Sequence, residues 1–414
     1  MVRVSLLDTA LTFLAVAVML LPGWPLLLGI LAAVHVATIF HHLPGVYNHW
    51  YFAGLVSLSL WLACMVAGWD ARRSGAPPTQ QGTWIAFAPA ARWSLLLLYF
   101  LSGFHKLNGD FFNPEVSCAS VLYQALSGRL GGLPNPPVMG SLAIAVTVAV
   151  ELGLPALLLI PRLRGVGVGV GALFHLVMAA AGYVRFSAAG VALLTLFLPG
   201  GLPILRSGHR IIAVAVLLPG VALASEGGET LFLWATVLLC LALLGLTVAA
   251  RRALPVRWPA APGRLAAAPM LGPALVLLSG IAPYLGLGTD RAFSMYSNLR
   301  TEGGVSNHLV VPAGLQMFSY QRDLIRILRS SDPELERLAA ERLVIPFAEL
   351  RTRLTEAVSD SGSPVSLSYL RGTISYETSS VMGDSVLDLP VSPLRIKFLR
   401  FRPVEAGGPR RCGV

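Results

Sequence analysis

The chain carries two lysines, Lys106 and Lys397; its other permanently cationic side chains are arginines. Arginine keeps its proton inside proteins, whereas lysine gives it up when desolvated or set beside other cations. Lys106 ends an apolar run in "FLSGFHKLNGDFF", next to His105 and just before Asn108 and Asp110. It is a candidate general base, and the alternative is a snorkelling lysine that anchors a span. Asp110 either partners Lys106 or caps the next segment. His49, in "GVYNHWYF", is a second acid–base candidate; otherwise it belongs to an aromatic belt with Tyr47, Trp50 and Tyr51. Glu151 and His175 interrupt apolar runs, where ionisable groups are costly. At the helical rise they lie about 20 Å and about 15 Å along their helices from one common side, so they are expected to meet as a structural pair. Arg185 in "RFS" suits an anionic headgroup or anchors its helix. The four cysteines form no CxxC pair, and no metal-ligand spacing appears, so no metal is expected.

The elements that must position these residues are set by composition. Hydrophobic residues make up 55% of the chain and charged residues 13%, against about 25% charged in soluble domains. Apolar runs of spanning length recur at about 5–21, 24–40, 51–69, 90–107, 138–160, 165–184, 186–199, 211–225, 230–250 and 268–287. The pattern predicts an all-α polytopic membrane bundle of about eight to ten transmembrane helices over residues 1–287. The start resembles a signal peptide in its charge and apolar stretch, but no small-residue cleavage site follows, so a retained first helix is expected. In "GVGVGVGALFH" small residues alternate, which lets a neighbouring helix approach closely.

Loop charges set the orientation. Arg72 and Arg73, Arg162 and Arg164, Arg206 and Arg210, and Arg251, Arg252, Arg257 and Arg264 fall in alternate loops, which are expected to be cytoplasmic. The net charge of +10 is thus explained by loops and lipid headgroups, and no nucleic-acid partner is expected. His49, Lys106 and everything after about residue 287 then share the extracytoplasmic face. Counting ten spans also places Arg3 outside, which suggests that one of the first two spans does not cross fully.

From Gly288 the composition turns polar, and residues 288–414 read as a small α+β extracytoplasmic domain. "SSDPELERLAAERLV" has the cap, early proline and acidic first turn of a helix, and "FAELRTRLTEAV" reads as another. "VSLSYLRGTISYE" reads as a hairpin. The basic tail from Leu394 either lies along the membrane or closes onto the bundle. Cys118 and Cys412 fall on the exterior face, where a disulfide persists. They are expected either to form one, stapling the tail over the mouth of the site, or to remain free thiols; Cys64 and Cys240 lie in spans and stay reduced.

The segments "YFLSGFHKLNGDFF" and "NPEVSCA" resemble the part of vitamin K-dependent gamma-carboxylase that carries its catalytic lysine, and bacterial HTTM (horizontally transferred transmembrane) proteins related to it. "YNHWYFAGL", "VELGLPALLLIPRLR", "FHLVM", "FSMYSNLRTEGGVSNHLVV" and "KFLRFRPVEAGGPRRC" are similar to further family segments, in the same order. The resemblance implies an integral membrane enzyme with Lys106 as the base that deprotonates a reduced quinone and His49 in the same active site. Around such a site, His105, Asn108, Asp110, Arg185, Asn307 and His308 are the candidate substrate-binding residues. The resemblance also implies reduced vitamin K or a menaquinol-type quinone with O2 and CO2, and a protein or peptide substrate beside the lipidic one. Two departures stand out. The family's second lysine is His105 here, and its large substrate-binding exterior domain is replaced by a much shorter one. The alternative is a non-catalytic binding or transport protein that retains the fold.

Overall fold

A computed structural model describes residues 6–21, 24–75, 77–198, 228–249, 264–361 and 364–413. The expected span at 211–225, Arg206, Arg210, Arg251, Arg252 and Arg257 lie outside the described residues.

Among the described residues, ten α-helices precede the C-terminal segment: α1 (Leu6–Leu20), α2 (Pro25–His42), α3 (Asn48–Ser74), α4 (Gln80–His105), α5 (Cys118–Arg129), α6 (Pro137–Leu159), α7 (Arg164–Ala180), α8 (Val184–Leu194), α9 (Gly228–Ala249) and α10 (Leu271–Leu285). Among the described residues, five helical stretches are long and apolar enough to cross a bilayer: α2, α3, α4, α6 and Ala267–Leu285, which contains α10. α1, α7, α8 and part of α9 are apolar but shorter. The spanning-length set among the described residues is therefore smaller than the eight to ten expected from apolar runs.

α4 starts ten residues before its expected apolar stretch, because Thr79 caps it by accepting a hydrogen bond from the Gly82 backbone N–H at 3.1 Å. α1 and α2 form an antiparallel hairpin whose ends are tied by His42 and Asp8, 3.0 Å apart. The start of α1 thus lies beside the end of α2, on the side where α3 begins. The small-residue stripe of α7 works as expected. A Cβ at Gly167 would lie 3.0 Å from Leu158 of α6, and one at Gly171 would lie 2.8 Å from Leu194 of α8. The bundle core runs from Phe52 and Leu95 through Leu154 and Val168 to Val191.

The C-terminal part holds an antiparallel sheet in the order β4-β3-β1-β2-β5. Its strands are β1 (Leu324–Ser330), β2 (Leu343–Pro346), β3 (Leu367–Arg371), β4 (Ile374–Thr378) and β5 (Val404–Glu405), with helices α11 (Pro333–Ala340), α12 (Phe347–Ser361) and α13 (Pro393–Phe398). Both expected helices form. Asp332 caps α11 by accepting from the Glu334 and Leu335 N–H groups, and Pro333 takes its first position. The expected hairpin is β3–β4, turning at Gly372 with φ 60°. A separate core gathers Ile325, Leu335, Ile345, Leu354 and Tyr369.

The tail closes onto the bundle. Cys412 is disulfide-bonded to Cys118, with the two Cα atoms 4.8 Å apart. Lys397 donates to the Phe40 carbonyl at 2.7 Å, and the Arg400 carbonyl accepts from Thr289 N–H at 3.0 Å. Glu349, fully buried on α12, holds the strand of tail with ion pairs to Arg353 at 2.7 Å and Arg400 at 3.1 Å, and accepts from Phe401 N–H.

Candidate active site

Positions 99, 102 and 106 fall on one face of α4, at spacings of three and four residues. They carry Tyr99, Ser102 and Lys106. On α6 the same logic aligns Met139, Leu142, Val146, Val150 and Glu151. Between these faces, the start of α3 and α7–α8 lies a mostly apolar cavity of about 820 Å³. Its polar wall includes His49, Lys106, Glu151 and Arg185. Apolar helix faces thus create the volume, and a few ionisable groups aimed into it could direct chemistry.

Lys106 is the C-cap of α4, where the helix dipole favours a cation. It is 3% exposed and forms an ion pair with Glu151 at 2.7 Å, Glu151 being 6% exposed. The contact is an ion pair rather than an aligned hydrogen bond. Lys106 also donates to the Ser102 hydroxyl at 3.0 Å. A Cβ at Gly103 would lie 2.9 Å from Leu152 and 3.0 Å from the Glu151 Cβ, so a residue without a side chain lets α6 come this near.

The expected pairing of Glu151 with His175 is therefore corrected: Glu151 turns to Lys106, while His175 Nε2 meets the Tyr99 hydroxyl at 2.5 Å. In a bundle core the carboxylate goes to the group that neutralises its charge, and the imidazole to a hydroxyl. His175 also explains Gly190 on α8, where a Cβ would lie 2.1 Å from Nε2. Asp110, a candidate partner for Lys106, is likewise taken elsewhere.

His49 stacks on Tyr47 with ring centroids 5.8 Å apart, and its buried Nε2 has no hydrogen-bond partner among the described residues. Arg185 lies near enough to act on it electrostatically. His49 thus combines both sequence readings: it stands in an aromatic cluster and lines the cavity.

Five residues expected at the substrate do not line the cavity. His105, fully buried, bonds the Tyr284 hydroxyl at 2.8 Å and the Ala292 carbonyl at 3.0 Å. Asn108 donates to the carbonyls of His105 and Ser297 and accepts from Phe111 N–H. Asp110 accepts from Asn307 at 2.7 Å and from Arg410 N–H at 3.0 Å. His308 donates from Nε2 to the Phe104 carbonyl at 2.9 Å and accepts at Nδ1 from Val310 and Val311 N–H. Together they form a clasp that fastens the end of α4 to the segment after α10. The physical reason is that irregular backbone buried beside apolar helices must find partners for its N–H and C=O groups, and short polar side chains supply them.

That segment also builds the cavity wall. Arg291, Phe293, Tyr296 and Asn298 have φ of 53–57°, left-handed conformations that are uncommon for bulky side chains. Phe293 and Tyr296 line the cavity. Such strain persists where surrounding contacts over-determine it. Here Asn48 and Asn298 supply them, accepting from Phe293 N–H at 3.2 Å and from Cys118 N–H at 2.9 Å.

Sequence reading missed Tyr99 and Ser102 as site residues. The spacing of four and seven residues back from Lys106 is the signal that finds them. Among the described residues no group of three His, Cys, Asp or Glu side chains could hold a metal ion. Compared with protein-family models, with curated proteins and with solved structures, the chain matches none.

Proposed function

We propose that this chain is an integral membrane enzyme of the gamma-carboxylase-like, HTTM class, in which Lys106 takes a proton from a quinone-type or other lipidic substrate. The observation that carries the reading is a desolvated lysine at the wall of a large apolar cavity, paired with a carboxylate. Desolvation is what makes an amine usable as a base. The cavity suits a reduced vitamin K or menaquinol-type ligand: Tyr99, Phe293 and Tyr296 offer ring-sized walls, and most of the remaining wall is aliphatic. Lys106 would receive the hydroxyl proton, Glu151 would balance the charge that the lysine gains, and His49 would orient the ring oxygen. Reaction with O2 and CO2, and transfer to a protein or peptide, rest on the family resemblance in motifs around Lys106 and His49.

The same reading puts the cavity mouth and the C-terminal domain on the extracytoplasmic side. The Cys118–Cys412 disulfide supports this, because such bonds persist outside the cytoplasm. Tags at the C-terminus are expected to report the exterior, and tags in the 251–264 loop the cytoplasm.

The test is turnover of a reduced quinone by membranes holding wild type or Lys106→Arg. Arginine keeps the charge and the partner but cannot act as base. Wild type should consume the quinol and O2, and the variant should not. Undiminished turnover in Lys106→Arg would defeat the base role. A second reading, a binding or transport protein without chemistry, is favoured by the ion pair itself, since a buried lysine 2.7 Å from a carboxylate can serve as a structural tie between α4 and α6. That reading expects quinol to bind wild type and Lys106→Arg alike, with turnover in neither.

A further inference from the structure

Residues 303–321, between the spanning helix α10 and strand β1, invert the pattern of a water-facing loop. From Gly303 to Gln321 there is no Asp, Glu, Lys or Arg, although Glu302 and Arg322 flank the stretch. Three of its polar side chains turn inward. His308 donates to the Phe104 carbonyl, Gln316 to the Thr301 carbonyl at 2.7 Å, and Gln321 to the carbonyls of Pro283 and Thr301 at 2.8 and 2.9 Å. All three residues are buried. The large apolar side chains turn outward. Leu309, Val310, Leu315 and Met317 are between 59% and 77% exposed, and Phe318 and Tyr320, which follow, are exposed as well. Exposed apolar surface is unfavourable in water by about 25 cal/mol per Å², and a patch of this kind marks a surface that meets something else.

The stretch is pinned to the ends of two spans. Leu309 N–H donates to the Leu107 carbonyl, just beyond the end of α4, at 2.9 Å. Phe318 N–H donates to the carbonyl of Leu285, the last residue of α10, at 3.0 Å. Gly286 permits that approach: its φ is 84°, and a Cβ there would lie 2.2 Å from the Phe318 carbonyl oxygen. The two span ends also meet each other, since His105 of α4 bonds Tyr284 of α10. They mark one level, at which both helices leave the bilayer, and residues 303–321 lie there. The apolar face is continuous with the helix surfaces below it. Phe100 of α4 and Leu278 of α10 are exposed, as lipid-facing residues of a span are. Phe100 stacks on Phe104 with ring centroids 5.7 Å apart, and Phe104 packs on His308 at 4.6 Å. At the other end the Arg395 guanidinium lies over the Tyr320 ring, 5.8 Å from its centroid. Aromatic rings and cations gather where hydrocarbon gives way to headgroups.

We infer that residues 303–321 form an interfacial anchor, seated in the headgroup–acyl boundary of the same bilayer that α4 and α10 cross, with Leu309, Val310, Leu315 and Met317 turned into lipid. The occupant of this face is lipid rather than protein, because the face continues the lipid-facing surface of two spans. The anchor holds the start of the C-terminal domain at the membrane, at a point separate from the Cys118–Cys412 bond. The inference rests on α4 and α10 being spans and not on chemistry at Lys106, so either can fail alone.

The experiment reads depth in full-length protein reconstituted into phosphatidylcholine–phosphatidylglycerol vesicles. The free cysteines Cys64 and Cys240 are changed to alanine, and a nitroxide is attached to one of Leu309→Cys, Met317→Cys, Leu278→Cys or Ile374→Cys. Leu278→Cys is the lipid reference on α10, and Ile374→Cys, exposed beside the β3–β4 turn, is the water reference. All four positions are exposed, so the labels leave the packing intact. Collisions are measured with oxygen, which concentrates in hydrocarbon, and with a water-soluble nickel complex. Labels at Leu309→Cys and Met317→Cys should meet the nickel complex several-fold less often than the label at Ile374→Cys, and should stay open to oxygen as at Leu278→Cys. Nickel access equal to that at Ile374→Cys would put the face in water and overturn the inference. Exclusion of both reagents would mean that a second copy or another protein covers the face, and would overturn it as well. Nickel access at Leu278→Cys would remove the span on which the inference stands.

Discussion

At the scale of single residues, the decisive contact is Lys106 with Glu151. Two charges buried together cost desolvation that their attraction only partly offsets, but removing one partner leaves the other unpaired. Glu151→Leu is therefore expected to destabilise the protein by roughly 3–5 kcal/mol. Lys106→Met should behave alike in stability. The double variant Lys106→Met/Glu151→Leu should be more stable than either single variant, because no charge is stranded. Unfolding of the four proteins in detergent measures this coupling. Additive losses would mean that the two side chains do not depend on each other. Lys106 was conspicuous in the sequence through its rarity. Its partner was not, because nothing in a linear pattern says which of two ionisable groups in α6 and α7 faces the end of α4.

At the scale of elements, the clasp between α4 and the segment after α10 has a titratable member. Burial pushes the His308 imidazole below its ordinary value, against the opposing pull of its bond to the Phe104 carbonyl. The geometry agrees: Nδ1 accepts two backbone N–H bonds, which only a neutral ring can do. A histidine whose folded value is depressed contributes stability that is present above its unfolded value, about 6.5, and is lost as pH falls through the folded value. Acidification from about pH 7 to pH 5 should therefore lower the melting temperature of wild type more steeply than that of His308→Gln. Parallel pH profiles would show that the clasp does not sense protons. The same element scale explains why five polar residues singled out near Lys106 serve backbone rather than substrate. "HKLNGD" and "VSNHLVV" lie about 200 positions apart, and only their antiparallel contact, Asn108 against His308, makes each the other's hydrogen-bond partner.

At the scale of the whole molecule, the tail is a strap fastened at both ends. Glu349 and Lys397 hold its start, and the disulfide to Cys118 holds its end. The two cysteines are 294 positions apart, so the bond closes everything from α5 to the tail into one loop, while α1–α4 precede it. In the chain-entropy account such a closure contributes at most about 5 kcal/mol. Cys412→Ser should lower thermal stability measurably while leaving Cys64 and Cys240 unreactive in the folded state. Mass mapping without reductant should find Cys118 and Cys412 linked in wild type. Free, alkylated Cys118 in that sample would remove both the strap and the support it gives to an exterior location.

Short-range rules account for the features that the sequence determined by itself. Composition and apolar run length dictate spanning helices, since each backbone group must be satisfied within its own segment in a bilayer. Capping residues dictate α11, and alternation about Gly372 dictates the β3–β4 hairpin, because both depend on neighbours a few positions away. The scarcity of lysine marked Lys106. Only the tertiary structure decided what surrounds it. Which face of α6 meets α4, that Glu151 leaves His175 for Lys106, and that Tyr99 and Ser102 share the wall are all matters of helix rotation and approach. Those are fixed by packing at residues such as Gly103, Gly171 and Gly190, where the absence of a side chain lets one helix reach another. Apolarity sends a helix into the bilayer in almost any rotation; close packing against its neighbours selects one, and with it the site.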